Sequence, residues 1–215
     1  QYPELNEHQR IVLNYERDIE PTLEQRVLLP PRSWQREVAL PKRFAAVMAA
    51  ARKYGINAIF NSAQKDEVVP LGFIASGVGF AYLRHALAEL GLTGRIPILR
   101  LGMSYPVDDR IVVEFARQCR QIVVVEERRN FVERQIVEIL NAVKQAEGLR
   151  TEVYGKRLPS NLPGFPETRG LNPSIVIERL VPLLKKHPTL PVELTNGRLT
   201  SELNRIAQTA TFRVH

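Results

Sequence analysis

The chain has 215 residues, a length suited to one domain with an appendage. Its composition, 44% hydrophobic and 25% charged, excludes a disordered or fibrous chain, and no apolar run reaches the ~18 residues that cross a bilayer. Thirty Lys and Arg against 23 Asp and Glu give +7. The excess is dispersed, with 10 basic and 9 acidic side chains in residues 1–70, 13 and 10 in 71–160, and 7 and 4 in 161–215. That is a solvated surface rather than a nucleic-acid footprint.

Residues 1–66 read as an N-terminal arm and connector. Leu5, Gln9 and Val12 fall at helical spacing, so Tyr2 to Tyr15 is expected to be a short helix. Prolines 21, 30 and 31 interrupt the arm, and Pro31-Arg32-Ser33-Trp34 reads as a loop. Leu28, Leu29 and Trp34 have no local core and are expected to pack on another surface. A helix is predicted from Pro41 to Tyr54, with Pro41 in its first turn and Gly55 as its stop. Asn61 to Glu67 reads as a polar linker.

Residues 67–186 alternate strands and helices. Val69–Ala75 reads as a buried strand, Phe80–Leu90 as a helix and Ile96–Leu101 as a second strand. Asp108–Cys119 follows as a helix with acidic residues at its positive end. Ile122–Val125, apolar throughout, reads as a strand buried on both faces. Asn130–Gln145 is a long helix, Arg150–Tyr154 a fourth strand, and Asn172 caps a helix running from Ile175 to Lys186. The Pro- and Gly-rich residues 158–171 cross from one side of the domain to the other. Residues 187–215 form a C-terminal linker with a helix near Thr200–Thr209. The expected fold is α/β, a three-layer α/β/α arrangement with a mostly parallel sheet of about five strands and a helical N-terminal arm.

Two places could carry chemistry. Ser76-Gly77-Val78-Gly79 leads from a strand into a helix, where exposed backbone N–H groups attract anions. The three-glycine dinucleotide fingerprint is incomplete, because Tyr82 stands at its third glycine. Ser76, Gly77 and Gly79 are therefore either an anion site or a close strand–helix contact. Glu126-Glu127 follows the central strand, at the end where open sheets gather ligands. The pair could act as a base, hold a cation or face a partner, or be neutralised by Arg128 and Arg129. Histidines 8, 85, 187 and 215 share no metal-ligand spacing. The single Cys119 excludes an intramolecular disulfide and any iron–sulfur cluster held by this chain alone. No metal site and no catalytic residue is predicted. The N-terminus has no signal-peptide pattern and no starting Met, so the chain is expected to be a cytoplasmic domain fragment.

The ordered set Leu71-Gly-Phe-Ile-Ala-Ser-Gly-Val-Gly79, Leu101-Gly-Met-Ser-Tyr-Pro-Val107, Ile122-Val-Val-Val-Glu-Glu127 and Val153-Tyr-Gly-Lys156 resembles the transketolase C-terminal-like domain. The particular resemblance is to the internal domain of indolepyruvate ferredoxin oxidoreductase, alpha-subunit type, over about residues 25–182. It implies a parent enzyme that oxidatively decarboxylates an aryl 2-oxo acid to an acyl-CoA and reduces ferredoxin. Such a parent uses thiamine diphosphate, magnesium, iron–sulfur clusters and CoA. This chain has no Gly-Asp-Gly…Asn-Asn motif, so no cofactor is expected on it. The resemblance implies a non-catalytic scaffold whose partners are other domains or subunits of the parent. Ser76, Gly77, Gly79, Glu126 and Glu127 would then be interface or ligand positions. The alternative is a stand-alone anion- or nucleotide-binding flavodoxin-like module. No membrane or nucleic-acid partner is expected.

The arm carries Tyr2, Leu5, Tyr15, Leu23 and Trp34 between its prolines. Identical apolar arms favour a two-fold pair. Deleting residues 1–36 is expected to turn a homodimer into a monomer by light scattering. An unchanged mass and melting temperature would make the arm a passive linker.

Overall fold

The computed structural model describes residues 30–187, 201 and 204–208. The chain divides into two compact units, Gln1–Val47 and Met48–His215. The expected helix at Tyr2–Tyr15, the residues Leu28 and Leu29, and most of the loop 187–199 lie outside the described residues. Residues 204–208 are helical, within the predicted C-terminal helix.

The described part of the first unit is mostly helix α1 (Arg32–Lys53), which continues past Val47. It begins earlier than predicted. Arg32, Ser33 and Trp34 are helical rather than a loop, and Pro41 lies inside the helix instead of opening it. An interior proline removes one hydrogen bond and costs ~3 kcal/mol. The neighbours on both sides, Gln35 to Leu40 and Lys42 to Ala46, are mostly strong helix formers. Pro31 sits where its carbonyl accepts from Gln35 N, 3.2 Å away, closing the first turn. Trp34 and Val38 lie exposed on this helix.

The second unit is built on five strands: β1 (Ala58–Phe60), β2 (Val69–Ser76), β3 (Ile98–Leu101), β4 (Cys119–Val125) and β5 (Glu152–Tyr154). Their order is β1-β3-β2-β4-β5. Only β1 runs antiparallel. Between them lie α2 (Gly77–Glu89), α3 (Asp109–Arg117) and α4 (Phe131–Glu147), and α5 (Pro173–Lys185) follows β5. The α/β fold with a mostly parallel five-stranded sheet is as expected. Strand β1 is an element the sequence did not reveal, because three residues are too short to show alternation.

The core has two halves. On one face Leu71, Phe73, Ala75, Val123 and Val125 meet Leu83 and Leu87 of α2 and Val176, Leu180 and Leu184 of α5. On the other, Ile74, Ile122 and Val124 meet Val112 and Phe115 of α3 and Ile136 and Leu140 of α4. Val123, Val124 and Val125 are at most 1% exposed, which accounts for a strand without polar alternation. The residues 158–171 do cross over, from the β5 edge to α5 on the opposite face. They do so as a packed segment that buries Leu158, Phe165 and Leu171.

Cys119 opens β4 rather than ending the preceding helix. Gln118 already terminates α3. The Thr151 hydroxyl donates to the Ala116 and Cys119 carbonyls at 2.7 and 3.0 Å, tying that junction to the start of β5. Burial pushes the Cys119 thiol up to about 12. Helix α5 starts as predicted, with Asn172 Oδ1 accepting from Ile175 N at 2.9 Å. Among the described residues no helix is long and apolar enough to cross a membrane.

One ion pair pins the end of α1 to the start of α3. Arg52 donates from Nε and Nη2 to the two oxygens of Asp108, at 2.9 and 2.6 Å, and from Nη2 to Asp109 at 3.0 Å. Asp108 is 2% exposed and also caps α3, accepting from Arg110 N. Burial is the largest single influence on its carboxyl and raises it, but the Arg52 hydrogen bond and charge, with the backbone N–H groups of α3, together hold it below the usual carboxylate range. A carboxylate depressed in this way contributes stability above its unfolded pKa and loses it as pH falls through the folded one. Asp108→Ala is therefore expected to cost about 2–4 kcal/mol at neutral pH, from a lost cap and a broken partly buried pair. In paired urea titrations the difference from the native chain should shrink as the pH drops below about 4.

Candidate functional site

In an open α/β sheet the crevice for ligands opens where successive crossovers diverge. Here β2 and β4 are neighbours, with Ala75 opposite Val125. Helix α2 carries the chain from β2 to β3, and α4 carries it from β4 to β5, away on the other side. The switch point thus lies between the C-terminal ends of β2 and β4. Ser76, Gly77, Gly79, Glu126 and Glu127, separate in sequence, all gather there.

The strand enters the helix without an intervening loop, since Gly77 to Gly79 already belong to the first turn of α2. Ser76 is extended (φ −130°, ψ 153°) and its hydroxyl makes no capping bond. The two glycines do different work. Gly77 has φ +50° and open space where a Cβ would stand, so its requirement is conformational. Gly79 is a contact: a Cβ there would lie 2.7 Å from the Val125 carbonyl oxygen. The backbone of α2 therefore rests directly on the end of β4, in the place a ligand would need.

Glu126 is 6% exposed. Its carboxylate accepts from Val132 N at 2.7 Å and Glu133 N at 3.0 Å. These are orphan donors of the first turn of α4, and Asn130, the nominal N-cap, makes no side-chain cap bond. Lys156 Nζ donates to the Glu126 carbonyl at 2.8 Å, while Glu133 accepts from Lys156 N at 2.9 Å. Burial raises the Glu126 carboxyl above its ordinary range, against the pull of the two N–H groups and Lys156. Burial also lowers the Lys156 ammonium. Glu127 is exposed and lies over Gly170. Arg129 pairs with Glu167 at 3.1 Å rather than with the neighbouring carboxylates.

The paired glutamates are thus split between an inward cap and an outward surface charge. Lys156 and Glu133 were not singled out as site residues. The parallel register of β5 on β4, Val123 opposite Tyr154, sets Lys156 beside Glu126, while Glu133 is placed there by the first turn of α4. His85 is exposed on α2. Among the described residues no three His, Cys, Asp or Glu side chains converge as a metal site. A buried thiol raised to about 12 does not fit a thiolate ligand.

Fold and site together define an open, doubly wound α/β domain whose switch point is closed by its own backbone and a capping carboxylate. The chain belongs to the indolepyruvate oxidoreductase domain family, whose model matches residues 61–210. It is 34% identical over 140 residues to indolepyruvate oxidoreductase subunit IorA of Methanothermobacter marburgensis, covering 65% of this chain and 21% of that one. To IorA of Archaeoglobus fulgidus it is 32% identical over 161 residues, 66% of this chain and 24% of that one. The chain spans about a fifth to a quarter of the length of these curated relatives. A solved 2-oxoglutarate:ferredoxin oxidoreductase from Magnetococcus marinus superposes with a TM-score of 0.39 at 14% identity, covering 72% of this chain and 23% of that one.

Removing the cap tests the reading of Glu126. Glu126→Ala is expected to cost about 2–4 kcal/mol, for a lost cap and buried N–H groups left unpaired. Glu126→Gln keeps one acceptor and should cost less. A carboxyl raised in the fold contributes stability below its unfolded pKa and loses it as pH rises through the folded one. The deficit of the Gln variant should therefore narrow from pH 4 to 7 in thermal melts. A widening deficit would contradict the assignment.

Proposed function

We propose that this chain is a scaffold domain of a thiamine-diphosphate-dependent 2-oxo acid:ferredoxin oxidoreductase of the indolepyruvate type, and that it carries no catalytic residue itself. The parent would convert an aryl 2-oxo acid and CoA to an acyl-CoA and carbon dioxide, passing two electrons to ferredoxin. The observation that carries the scaffold role is the closed switch point: Gly79 sits on Val125, and both Glu126 oxygens are taken by α4. Membership of the indolepyruvate oxidoreductase domain family, in a chain a fraction of its relatives' length, supports the parent activity.

The same end of the sheet has the character of an interface. The Tyr105 and Phe131 rings lie 5.9 Å apart, 56% and 54% exposed, beside Arg129 and Arg134. Aromatic and arginine side chains are enriched where protein surfaces meet. Ser76, Gly77 and Glu127 share this end and would face other domains or subunits of the parent. Ferredoxin would be a partner of the parent and a second copy of the chain a partner of the arm, all in the cytoplasm. A flavodoxin-like anion module at Ser76 to Gly79 would need open space where Gly79 is packed.

Calorimetric titration of the chain with thiamine diphosphate and magnesium is expected to give no binding heat. Indolepyruvate, CoA and ferredoxin should show no turnover with this chain alone. Stoichiometric cofactor binding, or ferredoxin reduction by the isolated chain, would overturn the scaffold proposal.

A further inference from the structure

The opposite end of the sheet holds a cleft of about 640 Å³, a volume typical of small-molecule sites. Its walls come from the start of β2, the junction of α3 with β4, the start of β5 and His187 after α5. Val68, Pro70 and Leu149 make one side apolar. Three guanidiniums, Arg117, Arg120 and Arg150, line it against a single carboxylate, Glu152.

These groups are not equally committed. Arg117 Nη2 is held by Glu147 at 2.6 Å. Arg120 and Arg150 have no hydrogen-bond or ion-pair partner among the described residues. Both line the cleft beside Gln121 and Glu152, which pair across β4 and β5. The floor beneath them is stiffened by the Thr151 hydroxyl on the Ala116 and Cys119 carbonyls. The Gln121 amide is oriented by its Nε2 bond to Glu152, 3.1 Å long, which leaves Gln121 Oε1 buried without a donor. Burial lowers the His187 imidazole from its ordinary value.

We propose that this cleft binds an organic phosphate monoester, a dianion near neutral pH with a small apolar body. With Arg117 shared with Glu147, the guanidiniums of Arg120 and Arg150 are the two that face an anionic group in the cleft. Planar guanidinium forks suit phosphate oxygens. The apolar body would lie on Val68 and Leu149. The site is independent of the scaffold proposal, whose test concerns thiamine diphosphate and turnover.

The test is calorimetry of the full chain with phenyl phosphate, inorganic phosphate and benzyl alcohol as probes. Phenyl phosphate should bind one-to-one, more tightly than inorganic phosphate and more weakly as salt is raised. Benzyl alcohol should not bind measurably. Arg120→Ala and Arg150→Ala should each weaken phenyl phosphate by about tenfold or more, and Arg150→Lys by less. Both arginines are exposed, so the melting temperatures of these variants should match the native chain. Ser76→Ala, at the far end of the sheet, should leave binding unchanged. Absence of saturable binding, equal affinity for inorganic phosphate, native affinity in the Arg120→Ala/Arg150→Ala double variant, or loss of binding in Ser76→Ala would each overturn the proposal.

Discussion

Everything in this domain is organised by the parallel ladder between β2 and β4, which is buried on both faces. Phe73 and Val123 project into one half of the core, Ile74 and Val124 into the other. Each such side chain contributes about 1.5–3 kcal/mol by leaving water, so neither face of these strands has room for a polar group. Charged and polar side chains are confined to the two ends of the strands and to the outer surfaces of the helices. Any chemistry the domain performs has to be sought at those ends.

At the C-terminal end the polar groups are used internally. Glu126 satisfies the N-terminal donors of α4, and Lys156 is latched to the carbonyl of the same glutamate. Asp108 does the same for α3 while holding Arg52. The helix N-termini that attract anions in a nucleotide-binding sheet are thus occupied by the protein's own carboxylates, and Gly79 brings α2 onto β4 without a gap. Tyr105 and Phe131 stand exposed at the same end.

At the N-terminal end the balance is the reverse. The strands begin at different heights, helices α3 and α4 end there, and a cleft remains between them. Two arginines and a buried amide oxygen are left with nothing to bind among the described residues. The contrast between the two ends separates the scaffold proposal from the anion proposal, since each rests on its own end of the sheet.

The alternation of elements, the two-faced burial of Val123 to Val125 and the Asn172 cap were legible in the sequence, because each is a local pattern of apolar period or capping chemistry. The ordered motifs from Leu71 to Lys156 pointed to the family for the same reason: they are strand ends and turns whose residues are adjacent in the chain. Strand β1 was not legible, since three residues carry no period and depend on β3 for their pairing. The start of α1 was misjudged because Pro41 looks like a first-turn residue, while flanking helix formers carry the helix through it. The site divided in the same way. That Ser76, Gly79 and Glu126 stand at strand ends could be read along the chain. That Gly79 rests on Val125 could not, because that contact depends on the register of β2 against β4, and the Glu126 cap of α4 depends on how the turn from 127 to 130 folds back. The cleft with Arg120, Gln121 and Arg150 left no trace in the sequence, since it exists only where the starts of β4 and β5 are brought side by side.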